Sequence, residues 1–94
     1  MYIVILRLTD PGQARELMQE HNAWIQRGFD DGVFLLVGGL QGEPGGAILA
    51  HAETLADLEL RVRADPLVDR QVAEPTILSV TPNETDARLA FLQR

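Results

Sequence analysis

Two stretches of this chain are apolar on both of the faces that a β-strand can present. In residues 1–8 (MYIVILRL) Tyr2, Val4 and Leu6 fall on one side and Ile3 and Ile5 on the other. Residues 33–40 repeat the pattern, with Val33, Leu35 and Val37 against Phe34 and Leu36. Successive side chains of a strand alternate, so a sheet covered by helices on one face only should alternate apolar with polar. These strands do not, and an uncovered second face would be an apolar patch of roughly several hundred Å². The expectation is a second copy of the chain on that face, giving a homodimer or higher homo-oligomer by sheet-on-sheet packing.

The rest of the chain supplies the helices for the first face. Asp10 can cap a helix, Pro11 suits its first position and Gln13 sits where a capping partner reaches back, so a helix is predicted over residues 11–27 with Gly28 as its left-handed stop. Asp30, Asp31 and Gly32 form the turn into the second strand, and the loop QGEPG is too short for a crossover, making the third strand antiparallel to the second. Thr54 and Asp57 mark the start of another helix, which Asp65 and Pro66 end. A fourth strand follows over residues 71–80, and Asn83 can cap a terminal helix over residues 83–94. The order βαββαβ plus a tail predicts an α+β, ferredoxin-like domain over residues 1–82: a four-stranded antiparallel sheet with two helices on one face.

Composition removes several classes of function. With 94 residues there is room for one small domain. A net charge of −6 opposes the counterion release that drives nucleic-acid binding, so no nucleic-acid partner is expected. All eight basic residues are Arg, which excludes Schiff-base and P-loop lysine chemistry. The absence of Cys removes disulfides, thiolate nucleophiles and Cys zinc sites. No apolar run approaches the roughly 20 residues of a membrane span, and no basic stretch precedes an apolar one at the N-terminus, so the expectation is a cytoplasmic chain with no membrane partner.

What remains for chemistry is small. The first helix carries Ala14, Leu17, Met18 and Ile25 on one stripe, with His21 four residues from both Leu17 and Ile25. The second has Leu55, Leu58 and Val62 on its inner row, and the same spacing reaches Asp65. Each helix thus aims a polar group at the sheet, and neighbouring helices can bring the two together. A carboxylate beside an imidazole fixes its tautomer and favours the imidazolium, a preparation for general acid–base work. A satisfied core histidine and a turn aspartate are the plainer alternative. Trp24, next to the stripe, is a candidate pocket wall, with core packing as its alternative. Arg7 is a candidate holder of an anionic substrate group, and Gly38 and Gly39 permit close backbone approach to a ligand or partner. His51 reads as an exposed or interface residue. No spacing suits a protein-held metal, and no cofactor is expected.

The segments MYIVILRL, EHNAWIQRG, GVFLLVGGL, GGAILAHAETL and RADPLV together resemble the YciI-like (YCII-related) proteins over about residues 1–82. The resemblance implies a ferredoxin-like fold assembled into a dimeric α+β barrel and a catalytic pair at His21 and Asp65. One branch of that family acts without a cofactor as a dehydrochlorinase on chlorinated hydroxyquinols. The chain departs from the family pattern at Met18, where a basic residue is common, at Gly38-Gly39 in place of Gly-Pro, and at Pro82-Asn83 in place of Pro-Phe. The leading expectation is therefore a small cofactor-independent enzyme that moves a proton on an aromatic or enol-like compound by elimination or isomerisation. Its alternatives are a dimer that binds a small molecule without changing it, and a structural or interaction module that docks through the tail.

Overall fold

A computed structural model of the chain describes residues 1–93. The elements are β1 (Tyr2–Leu8), α1 (Pro11–Glu16), α2 (Met18–Asp30), β2 (Phe34–Gly39), β3 (Gly45–Ala50), α3 (Leu55–Arg63), α4 (Pro66–Asp69) and β4 (Ala73–Ser79), followed by a 3₁₀ segment, Ala87–Gln93. The four strands form one sheet in the order β2-β3-β1-β4, antiparallel throughout. This is the α+β ferredoxin-like arrangement that the sequence predicts. Val4, Leu6, Ile48, Ala50 and Phe34 from the sheet form the main core with Trp24 of α2 and Leu58 and Val62 of α3.

The first helical region is two helices where one was expected over residues 11–27. Asp10 caps α1 as read, its carboxylate accepting from the Gln13 N–H at 3.1 Å. At Leu17 the backbone turns to φ −102° and ψ 1°, and its N–H bonds to the Ala14 carbonyl, three residues back, at 3.0 Å. The chain restarts as α2, which runs past Gly28 to Asp30. Gly28 is not the predicted stop: it lies buried inside α2, where a Cβ would come within 2.1 Å of the Phe34 ring. Close packing selects glycine there, and the left-handed residue is Gly32, with φ 75°.

Thr54 caps α3 as expected, accepting from the Asp57 N–H at 3.1 Å. Leu55, placed on the inner row by its spacing, is exposed, while Leu58 and Val62 are buried. Asp65 and Pro66 do more than end α3, because Asp65 accepts from the Leu67 N–H and so starts α4. The tail also departs from expectation: Asn83 does not cap an α-helix, and the segment is a 3₁₀ turn series in which Asp86 accepts from the Arg88 N–H at 2.9 Å. The Arg88 guanidinium and that N–H hold the Asp86 carboxyl below its ordinary range. Position 94, the end of the expected tail helix, lies outside the described residues.

A bulge in β2 resets the faces of that strand. Phe34 pairs with Ala50 and Leu36 with Leu49, so Leu35 is an extra residue between them. Phe34 and Val37 therefore face the helices together and Leu36 faces away, which corrects the strict alternation read from the sequence. On the face away from the helices, register places Leu36, Leu49, Ile3 and Leu78 side by side across all four strands. Leu36 is 56% exposed and Leu78 45%. The tail packs at the edge of this row, where Leu89 and Leu92 share a hollow with Leu49, and the Phe91 ring meets His51 at 5.4 Å.

Candidate functional site

The break at Leu17 sets the direction of α2, and His21 lies one turn into it, with its N–H bonded to the Leu17 carbonyl at 2.9 Å. Asp65 sits at the junction of α3 and α4. The two side chains, 44 residues apart in sequence, meet at 2.7 Å between His21 Nδ1 and Asp65 Oδ1. That distance is at the short end for an N–H···O bond and typical of a charge-assisted one. His21 is 8% exposed and Asp65 0%.

Asp65 engages its surroundings through one oxygen. Oδ1 accepts from both His21 Nδ1 and the Leu67 N–H, while Oδ2 is buried without a partner. A buried unpaired oxygen costs roughly 1–3 kcal/mol, and such costs collect where a group has a task besides stability. Among the described residues Oδ2 is the one buried side-chain polar atom so placed. The second ring nitrogen of His21, Nε2, has no hydrogen-bond partner among the described residues, and His21 lines a cavity. With Nδ1–H donating to Asp65, a neutral ring presents the lone pair of Nε2 to that cavity.

The cavity, about 330 Å³, lies between α2 and one end of the sheet. Its walls are aliphatic, including Leu6, Ile25, Val37 and Ile48, and its floor is glycine backbone. Gly39 pairs with Gly46, and Gly46 pairs with the buried Leu6, so both glycines face the helices and leave the sheet bare there. Besides His21, the cavity is lined among the described residues by one polar side chain, Asn22, and by no charged one.

The sequence-level candidates divide. His21 and Asp65 meet, and Gly38 and Gly39 line the same cavity. Trp24 does not line it: the indole is buried behind the imidazole, stacked at 5.7 Å between ring centroids and 25° between planes. Its Nε1–H donates to the Arg61 carbonyl at 3.0 Å, and the Arg61 side chain is gripped by Glu53 at 2.8 Å and Asp31 at 3.0 Å. The Glu53 hydrogen bond raises the Arg61 pKa above its ordinary value against the opposing effect of burial, with Asp31 adding to the rise. Arg7 is likewise away from the cavity, exposed on the opposite sheet face and paired with Glu43 at 3.0 Å. It stays there because β1 alternates and Leu6 and Leu8 take the inward positions. His51 lies outside the cavity, its ring packed against Phe91 of the tail. Sequence reasoning missed Asn22, which as the neighbour of His21 is rotated about 100° round the helix to a position that normally meets solvent. It also missed Gly46, whose only signal is the cross-strand register.

No family model matches this chain, and no curated protein matches it. Among solved structures it is similar to 5-chloro-2-hydroxyhydroquinone dehydrochlorinase from Burkholderia phenoliruptrix AC1100, determined in complex with 2,5-dihydroxybenzoquinone. The TM-score is 0.68 at 18% identity, covering 85% of this chain and 93% of that one. The likeness is one of fold.

Proposed function

We propose that this chain is a small cofactor-independent enzyme that uses His21 and Asp65 to move a proton on a small aromatic or enol-like molecule, in an elimination or an isomerisation. The observation that carries the reading is the 2.7 Å pair whose His21 lines an apolar cavity, with Nε2 unpartnered among the described residues. In this mechanism Nε2 takes a proton from an acidic C–H or O–H of the substrate. Asp65 balances the imidazolium that forms, in a setting where burial strengthens the attraction. Return of the proton to another atom completes an isomerisation, and departure of a leaving group completes an elimination. The structural neighbour is named a dehydrochlorinase, an eliminating enzyme, which agrees in reaction class. The meeting of His21 with Asp65 and the strand order support a YciI-like assignment, with the protein working in the cytoplasm. Among the described residues no helix is long and apolar enough to cross a membrane.

The experiment is a screen of enolisable and hydroxylated ring compounds in D₂O, read by NMR for solvent exchange and product. For a compound that turns over, His21→Ala is expected to cut the rate by about 10²–10⁴, measured below its own thermal transition, which the loss of the Asp65 partner lowers. Equal rates in wild type and His21→Ala would remove the reading.

A second copy of the chain is the proposed cover of the open sheet face. The row Leu36, Leu49, Ile3 and Leu78 supports it, as a continuous apolar band of the kind that two sheets bury against each other. This holds equally if the dimer binds its small molecule without changing it.

A further inference from the structure

We propose that Gly39, Gly46 and Asn22 set what the cavity accepts: an uncharged, flat molecule of about one ring, lying on bare sheet backbone with one polar edge held by the Asn22 amide. This rests on the reading of the cavity as the substrate site and names its selectivity. Three observations carry it.

The first is size. A cavity of roughly 150 Å³ holds benzene, and sites for drug-sized ligands begin near roughly 300 Å³, so 330 Å³ suits a substituted single ring. The second is the floor. Every other inward position nearby carries an aliphatic side chain, and only the paired Gly39 and Gly46 leave a space over the strands. Their glycines have different reasons. A Cβ at Gly46 would press on the Gly38 carbonyl at 3.0 Å, so packing also favours glycine there. A Cβ at Gly39 meets nothing nearer than the Gly45 carbonyl at 4.0 Å, and the fold leaves that position free to carry a side chain. Glycine at 39 serves the cavity.

The third observation is polarity. Among the described residues the lining has no guanidinium to pair with a carboxylate or phosphate, and the Asp65 carboxylate is hydrogen-bonded to the far side of the His21 ring. With the neutral His21 ring that the proposed proton transfer requires, an anionic group would meet no cation in that lining and would face a like charge. Asn22, whose amide makes no hydrogen bond to another described residue, offers both a donor and an acceptor at the cavity wall. It can therefore hold a hydroxyl or a carbonyl oxygen of a molecule in the same cavity as His21.

The test is binding, which is independent of turnover and so separates this inference from the proton-transfer reading. Phenol, toluene and benzoate are titrated at neutral pH into wild type, Asn22→Ala and Gly39→Val, followed through the Gly46 and His21 amide signals. Phenol is expected to bind wild type at least about tenfold more tightly than benzoate. Asn22→Ala is expected to weaken phenol about fivefold, the share of one neutral hydrogen bond, and to leave toluene unchanged. Gly39→Val is expected to abolish binding of phenol and toluene while keeping the wild-type thermal transition. Benzoate binding as well as phenol, phenol indifferent to Asn22→Ala, ring binding that survives Gly39→Val, or no phenol binding at millimolar concentration would each overturn it.

Discussion

Asp65 holds a ring nitrogen and a helix start with the same oxygen, so the two roles can be separated by substitution. In Asp65→Asn the side-chain oxygen can still accept from the Leu67 N–H and from His21 Nδ1–H, but the negative charge is gone. In Asp65→Ala the cap is lost and a buried imidazole nitrogen is left unpaired. Equilibrium urea unfolding is expected to place Asp65→Ala about 2–4 kcal/mol below wild type, with Asp65→Asn losing less than half of that. Any turnover found should nevertheless fall at least about tenfold in Asp65→Asn, because the imidazolium has lost its counter-charge. An Ala variant as stable as wild type would show that the pair holds nothing together. His21 and Asp65 were legible because each occupies a polar position on an apolar helical row, a conflict that sequence spacing exposes. Arg7 was not, since alternation along a strand tells which residues share a face and not what lies above that face. Trp24 shows the same limit on a helix: its position places it near His21, while only the Arg61 carbonyl and the ring stack turn it behind the imidazole.

The elements show where local chemistry and packing disagree. Gly28 looks like a helix stop in sequence and is held mid-helix by the Phe34 ring, a contact that no local pattern contains. Gly28→Ala is therefore expected to destabilise by about 1–3 kcal/mol in thermal or urea unfolding, although alanine is the better helix former. The control is Gly38→Ala, where the added Cβ meets nothing within 4 Å and little change is expected. Equal stability of the two variants would mean that the Phe34 contact yields freely. Caps at Asp10 and Thr54 were readable because they depend on three or four consecutive residues. The break at Leu17 and the bulge at Leu35 were not, because each lies where the chain packs on elements distant in sequence. In α4 a single Asp-Pro pair both stops one helix and begins the next, and the stop alone was read.

For the whole molecule, the two-faced strands bear on assembly. Sedimentation or light scattering is expected to find a homodimer, and Leu78→Arg, at the end of the apolar row, is expected to yield folded monomer. A wild-type monomer at high concentration would sink that expectation. The topology was legible because the short Gly/Pro connection makes β2 and β3 antiparallel neighbours and the βαββαβ order then selects the ferredoxin-like arrangement, to which the observed order β2-β3-β1-β4 conforms. The cavity was not, since it arises from two glycines brought opposite each other by register. That register also divides the labour of β2, β3 and β1. Inward positions such as Gly39, Gly46 and Leu6 shape what sits under α2, and outward positions such as Leu36, Leu49 and Ile3 meet whatever covers the other face. Parity along the strand thus separates two sets of heritable changes. A lineage can alter its ligand through one set while the other keeps the surface intact, and a mutant library confined to inward positions would inherit the same freedom.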